Sequence, residues 1–303
     1  MKKTKYVVIF ALSGFLLWYL FIKKHDYLVT FTANTSPGTL FRGLEEWNMA
    51  NQKIDSFNYE LITKKAFQYF SETVETKDLT LQLDWHFEDI ADSISKVKVG
   101  FTQKGHSIYN RLTAPFIKTP FKSKAITLVR DFKKGIDYQL KNKFKVKIIG
   151  IDTIPELSYA YIDLNNVKME NKAMEMMKNN SVLMSFLKEY NLKNGDSPFV
   201  IINNWQLNEN LIDFRYCFPI VETDSLPYNE EIKYDKISPK PAIKAIYNGN
   251  YKTSDRGWFG LFEYAKRHNI EINNNPVELY HNNPFYGGDE LKWAAEIYMP
   301  IAH

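Results

Sequence analysis

The carboxy-terminal half of the chain repeats itself, and that repeat restricts the fold more than any other feature of the sequence. Leu183–Ile202 reads LMSFLKEYNLKNGDSPFVII, and Leu261–Tyr280 reads LFEYAKRHNIEINNNPVELY. Both run as an amphipathic helix, an Asn-rich turn, a proline and a short strand. Each copy closes on a matching strand, FRYCFPI (Phe214–Ile220) and AEIYMPI (Ala295–Ile301), with the Pro-Ile pair preserved. Each also opens on a strand, at about Pro155–Leu164 and Ala242–Tyr247. The unit is therefore β-α-β-β, with a helix on one sheet face. A sheet covered on one side leaves its other face to be buried, so two such units are expected to pack together and share a cleft.

The other end of the chain carries a different constraint. Tyr6–Ile22 is an uncharged, mostly apolar run between Lys2, Lys3 and Lys5 on one side and Lys23 and Lys24 on the other. Its seventeen residues stand at the short end of the range for a membrane-spanning helix. A secretory signal peptide and a buried helix are the competing readings. The run ends on Lys-Lys-His-Asp rather than on a small-x-small cleavage site. Lysines at both ends and the interfacial pair Trp18 and Tyr19 fit an uncleaved anchor. Residues 1–25 are read as a single-pass anchor that meets the membrane through residues 6–22. The greater positive charge before the run places the residues after it outside the cytoplasm.

Residues 26–145 are strand-rich. Tyr27–Ala33 reads as a strand, and Ser36-Pro37 opens a helix through about Asn48, with Ser36 the candidate cap. Further strands are expected at Ser56–Ile62, Phe67–Glu75, Leu79–Glu88 and Ser95–Thr102; Leu79, Leu81, Leu83 and Trp85 alternate onto one face. A long helix closes the segment over roughly Lys122–Lys141. The order of elements, with the opening YLVTFTANTSPGTLFRGLEEW, resembles the SRPBCC (START-like) helix-grip domains. That resemblance implies an antiparallel sheet gripping a long helix over a hydrophobic cavity; a domain that only supports its neighbour is the other reading.

The second copy of the repeat resembles the GyrI-like domain, the effector-binding domain of bacterial transcription activators. AIYNGNY supplies a Gly-x-Tyr after the first strand, GWFGLFEYAKRHNIEINNNPVELY an early helical Trp and a Pro-x-Glu-hydrophobic-Tyr strand, and AEIYMPI a closing Glu-x-x-x-Pro. The resemblance covers about residues 146–303 and implies two tandem modules around a pocket for small aromatic or cationic molecules. The DNA-binding partner domain usual in that family has no counterpart in the motifs found. The fold class read from the whole chain is α+β: a transmembrane helix, a helix-grip sheet domain, then tandem β-α-β-β modules.

Strand alternation places Glu278 and Tyr280 on one face of their strand, and Glu296 and Tyr298 together on one face of theirs. Trp258 falls on the apolar stripe of the second helix, which Ser254 or Asp255 is placed to cap, and Tyr251 comes directly after Gly249-Asn250. Carboxylates and rings on a covered sheet face would form an anionic, aromatic-walled site suited to organic cations. Aligning the prolines of the two copies sets Val200 against Glu278 and Arg215 against Glu296, so a carboxylate occurs only in the second copy. That asymmetry favours a special role for Glu278, which the family resemblance also makes the ligand-facing residue. Glu296 could instead pair with Arg215 across the pseudo-dyad. The plainer alternatives are a solvated Glu278, a core Trp258, a turn residue at Tyr251 and an exposed loop aromatic at Tyr286.

Composition narrows the function classes. The net charge of +4 is spread along the chain, with lysines interleaved among acids and no basic stripe or helix-turn-helix spacing, which disfavours a nucleic-acid partner. The six histidines show no metal-ligand spacing, so no metal and no cofactor is expected. Cys217, in an apolar run and alone, reads as a small buried hydrophobe. The function expected is an anchored protein that captures an aromatic or cationic organic ligand. The alternative is a hydrolase using Glu278 as general base with Tyr251 or Trp258 orienting the substrate, and the third reading is a scaffold without a ligand.

Overall fold

The computed structural model describes residues 2–54, 57–77, 79–91, 93–192, 195, 197–223, 225–282, 284 and 287–302. The chain forms two compact units, Met1–Asp137 and Tyr138–His303. The division falls within a long helix, a few residues before the boundary expected at 145/146.

The first unit begins with α1 (Lys2–Leu17), continued by a π-helical turn over Trp18–Ile22. The stretch Thr4–Ile22 has the length and composition of a membrane-crossing helix, and none of it is buried. Then come β1 (Tyr27–Ala33), α2 (Pro37–Ile54), β2 (Asn58–Lys65), β3 (Tyr69–Glu75), β4 (Thr80–Ala91), β5 (Ile94–Thr102), α3 (Ser107–Thr113) and α4 (Pro120–Asn142). The strands form one antiparallel sheet in the order β1-β5-β4-β3-β2. This is the element order the sequence implies, with α3 added. Pro37 opens α2, as its fixed φ favours, and the Thr39 N–H donates to Ser36 Oγ at 3.4 Å.

Alternation carries the core. Leu81, Leu83 and Trp85 of β4 are all buried, and Phe132 of α4 lies against Trp85, Trp47 and Phe31 with ring centres 5.1, 6.2 and 6.3 Å away. These rings occupy space between α4 and the sheet, where the helix-grip resemblance implies a cavity. One polar group sits among them. Glu72, on the inner face of β3, accepts from Trp85 Nε1 at 2.9 Å and from the Asn48 amide of α2. Burial pushes its carboxyl up to about 7, against the two hydrogen bonds that favour the charged form.

The second unit comprises β6 (Phe144–Ile154), β7 (Leu157–Lys168), α5 (Lys172–Glu189), β8 (Phe199–Gln206), β9 (Leu211–Pro219), β10 (Lys233–Ile237), β11 (Lys240–Gly249), α6 (Asp255–Arg267), β12 (Val277–Tyr280) and β13 (Ala294–Pro300). Both repeats are β-α-β-β: β7-α5-β8-β9 and β11-α6-β12-β13. All eight strands join one antiparallel sheet, β10-β7-β9-β8-β12-β13-β11-β6. The order is symmetric about the β8–β12 pair, where Glu278 faces Val200 in register. At that one position the residues equivalent by the repeat are also neighbours across the pseudo-dyad.

This corrects the expected packing. The modules join edge to edge rather than burying their open faces against each other, and the cleft lies at the seam, lined by α5, β9, Tyr251 and Tyr280, on the face of β12 that carries Glu278. Two strands absent from the sequence reading, β10 and β6, extend the sheet at its outer edges. The Gly-x-Tyr turn has a steric basis: Gly249 sits at φ 151°, and a Cβ there would lie 2.8 Å from Lys143 O and 2.6 Å from Tyr247 Oη.

Glu72 makes the first unit pH-sensitive. Its folded value lies above the usual 4.5, so the stability it contributes is full below about 4.5 and is lost as pH rises through about 7. Thermal unfolding of the wild type should weaken between pH 5 and 8 by an amount on the order of 2 kcal/mol more than that of Glu72→Gln. Parallel pH dependence in the two proteins would remove Glu72 as the cause.

Candidate functional site

The site is built on Glu278, which has no exposed surface. It stands on β12 beneath the amino termini of both helices. Lys172, the first residue of α5, places its ammonium 2.8 Å from Oε1 and 2.7 Å from Oε2. The third proton of that ammonium goes to Ser254 Oγ at 2.8 Å. The Ser254 hydroxyl, at the start of α6, lies 3.0 Å from Glu278 Oε2 and 2.9 Å from the Tyr251 carbonyl. Tyr280 Oη donates to the same carboxylate oxygen. Trp258 of α6 lies under the lysine, with Nζ 4.6 Å from its ring.

A lysine at a helix amino terminus opposes the helix dipole and is unfavourable there on its own. Full burial of its charge would cost several kcal/mol more. Both penalties are offset by one partner, the Glu278 carboxylate. Ser254 or Asp255 was expected to cap α6; Ser254 holds the cap position, but its hydroxyl turns to the ion pair instead of to the helix N–H groups.

A cavity of about 290 Å³ opens beside this network. Met176, Met177 and Met184 of α5, Tyr216 and Phe218 of β9, and Trp293 line it together with Tyr251 and Tyr280. Tyr251 and Tyr280 pack ring to ring at 4.5 Å, and Tyr251 Oη donates to the Ala294 carbonyl at 2.8 Å. Burial pushes the Tyr251 hydroxyl up to about 12 and the Tyr280 hydroxyl well above its usual value, the latter with help from the neighbouring carboxylate. Both are neutral donors at physiological pH. Tyr216 Oη donates to Asn180 Oδ1 at 2.8 Å, and Asn180, Asn250, Lys252 and Asn282 add polar groups to a mostly apolar lining.

The residues expected from the sequence divide in three. Tyr251 and Tyr280 line the cavity. Glu278 and Trp258 lie behind that lining, in contact with Lys172. Glu296 and Tyr298 lie on the opposite face of the sheet, because Tyr298 pairs with Val277 and Glu296 with Leu279, while Glu278 pairs with Ile297. Adjacent strands put register partners on one face, so the carboxylates of Glu278 and Glu296 point to opposite sides. Glu296 accepts from Tyr298 Oη at 2.7 Å and meets Lys244 at 3.1 Å. Burial alone would raise its carboxyl, but these two donors hold it below the usual range.

The expected Glu296–Arg215 pair is also replaced. Strands β9 and β13 are three spacings apart, roughly 14 Å, and Arg215 binds Asp235 at 2.7 Å and Asp163 at 3.5 Å instead. Cys217, on that same outer face, is buried in an apolar cluster with Tyr159, Phe199 and Val277, and burial pushes its thiol well above the usual value. Tyr286 lies outside the described residues.

Sequence reading missed Lys172 and the methionines. The signal for the latter was present: Met174, Met176, Met177 and Met184 put four of the chain's eight methionines on one helix, and flexible thioethers suit adaptable apolar surfaces.

No family model matches the sequence, and no curated protein matches it. Among solved structures the chain is similar to the C-terminal domain of EcmrR, at 15% identity over 52% of this chain and 98% of that one, with a TM-score of 0.43. It is also similar to SAV2435 bound to tetraphenylphosphonium, at 11% identity over 53% of this chain and 94% of that one, with a TM-score of 0.37. A hydrolase encoded by lin2189 from Listeria innocua matches at 10% identity over 56% of this chain and 98% of that one, with a TM-score of 0.33. With likenesses this distant, the chemistry of the site is read from its own residues.

Removing one half of the ion pair should be far worse than removing both. Lys172→Met strands a buried carboxylate and should cost about 3–5 kcal/mol in denaturant unfolding, whereas Lys172→Met combined with Glu278→Gln should recover most of that loss. Additive losses in the double variant would show that the two charges do not depend on each other.

Proposed function

We propose that the chain is a membrane-anchored small-molecule binding protein whose second unit captures an uncharged, apolar aromatic ligand in the cavity that α5, β9, Tyr251 and Tyr280 enclose. The observation that carries this reading is the Lys172–Glu278 pair. A buried carboxylate facing an aromatic cavity would select an organic cation, since an unpaired buried charge is costly. Here an internal ammonium already occupies both carboxylate oxygens. An incoming cation would have to expel Lys172 and meet its charge in the same small space. A neutral ligand leaves the pair in place and gains from the methionines and rings, about 25 cal/mol for each Å² of apolar surface removed from water.

The cavity volume is close to the lower end of ordinary ligand pockets, about 300 Å³. It therefore suits a compact molecule of one or two rings. Tyr251 and Tyr280 offer ring faces, with their hydroxyls turned to protein acceptors. The Asn180 amide supplies a polar group of the kind that orients a ligand. The anchor reading draws on the exposed, apolar Thr4–Ile22 stretch, and the resemblance of the second unit to GyrI-like domains supports a ligand-capturing role. A hydrolase needs Glu278 free to accept a proton from water, and its oxygens are instead taken by Lys172, Ser254 and Tyr280.

The test compares two panels by calorimetry on the full chain. Neutral aromatic compounds should bind the wild type at least about tenfold more tightly than matched cations, a difference of about 1.4 kcal/mol. Tetraphenylphosphonium, the cation bound to SAV2435, is the cationic reference. Ala173→Trp, which fills the cavity from α5, should abolish binding of the neutral compounds. Preference for the cations, or binding undiminished in Ala173→Trp, would contradict the reading.

A further inference from the structure

In the first unit, α3 is amphipathic in the reverse sense. Its polar residues are inside: Asn110 and Arg111 are buried. Its apolar residues are outside: Ile108 is 46% exposed, Tyr109 59% and Leu112 51%, with Phe116 at 87% and Ile117 at 54% just beyond the helix. Five large apolar side chains within ten residues turned toward solvent form a patch of the kind that marks an interaction surface.

The inversion is held in place by buried polar contacts. Arg111 Nε donates to Asp26 Oδ1 at 2.9 Å, and its Nη1 donates to the Leu20 carbonyl at 2.8 Å. Asp26 Oδ2 accepts in addition from Ser107 Oγ at 3.1 Å and from the Gln103 N–H at 3.0 Å. Tyr19 Oη closes the arrangement by donating to the Arg111 carbonyl at 3.0 Å. The helix is thus fastened, polar face inward, to the last turn of the apolar amino-terminal stretch. Tyr19 lies three residues inside the end of Thr4–Ile22, about 4.5 Å along a helix axis. That is the depth of the boundary between lipid tails and headgroups.

Charge agrees with this placement. Between Gln103 and Arg130 there is no Asp or Glu, while Lys104, Lys118, Lys122 and Lys124 flank the patch on both sides. Lys122 reaches back to the Ala114 carbonyl at 2.8 Å, and Lys23 lies over the Tyr19 ring at 4.6 Å. An apolar patch bordered by lysines, beside a membrane-spanning stretch, matches a bilayer surface in both its layers: tails below, phosphates above.

We propose that α3, together with Phe116 and Ile117, forms a second membrane contact, lying in the bilayer interface beside the anchor and fixing how the first unit stands on it. The inference rests on the membrane reading of Thr4–Ile22. In place of one flexible tether, the unit has two points of attachment joined by the Asp26–Arg111 lock.

The test uses the full chain in liposomes of phosphatidylcholine and phosphatidylglycerol. Phe10→Cys, Leu112→Cys and Phe116→Cys are labelled separately with an environment-sensitive fluorophore. Cys217 is fully buried and stays unlabelled, and all three positions are exposed, so none of the replacements removes core packing. The label at 10 should be quenched by a lipid spin-labelled deep in its tail. Labels at 112 and 116 should be quenched by a lipid spin-labelled near its headgroup and protected several-fold from iodide. Labels at 112 and 116 open to iodide, with 10 still in lipid, would overturn the second contact and leave the anchor standing. Shielding from both quenchers would also overturn it, by showing that protein covers the patch. A label at 10 open to iodide would overturn the anchor and the second contact together.

Discussion

The second unit is organised around the buried Lys172–Glu278 ion pair. Lys172 and Glu278 are 106 residues apart in sequence, and their contact ties the start of α5, in the first repeat, to β12, in the second. The lysine would be out of place without the carboxylate, and the carboxylate without the lysine. Ser254, Tyr280 and Trp258 complete the enclosure, so the start of α6 is held at the same point. The cavity inherits its shape from that arrangement, because Ala173 and Met176 come soon after Lys172 along α5 and Tyr280 is two residues beyond Glu278. Fixing the pair fixes both walls.

The same pair sets the chemistry. Pseudo-symmetry would put like residues on both sides of the β8–β12 seam, yet one side has Glu278 and the other Val200. A symmetric pair of carboxylates would face each other across two adjacent strands and repel. One carboxylate, met by one lysine from the opposite module, gives a seam with no net charge. The tyrosine rings in front of it then present an apolar, neutral surface to the cavity. On the far side of the sheet, charges are handled differently: Lys244 with Glu296, and Arg215 with Asp163 and Asp235, lie nearer solvent and form a network of partly exposed pairs. Such pairs contribute little each, and the cavity does not depend on them.

Much of the fold was legible because it is periodic. The repeat gave both β-α-β-β modules, and alternation gave Leu81, Leu83 and Trp85 as one core face. The features hidden from sequence are those that periodicity cannot carry. Strands β6 and β10 lie outside the repeated unit and pair only with an outer strand of it. The short α3 is polar-in, which inverts the usual amphipathic rule. Edge-to-edge joining of the modules is a long-range choice, and it decides the faces: alternation correctly paired Glu278 with Tyr280 and Glu296 with Tyr298, but only the register of β12 against β13 shows that the two pairs point apart. Lys172 was invisible for a related reason, since a lysine at a helix start reads as solvated until its partner is known.

In the proposed binding mode Lys172 stays on the carboxylate and the ligand binds in front of it. A structure of the full chain with a neutral aromatic ligand at saturation tests this most directly. The ligand is expected against Met176, Tyr216, Tyr251 and Trp293, with Lys172 Nζ still bridging both oxygens of Glu278. A ligand atom bonded to Glu278, with Lys172 displaced from it, would overturn this binding mode and return the site to direct recognition by its carboxylate.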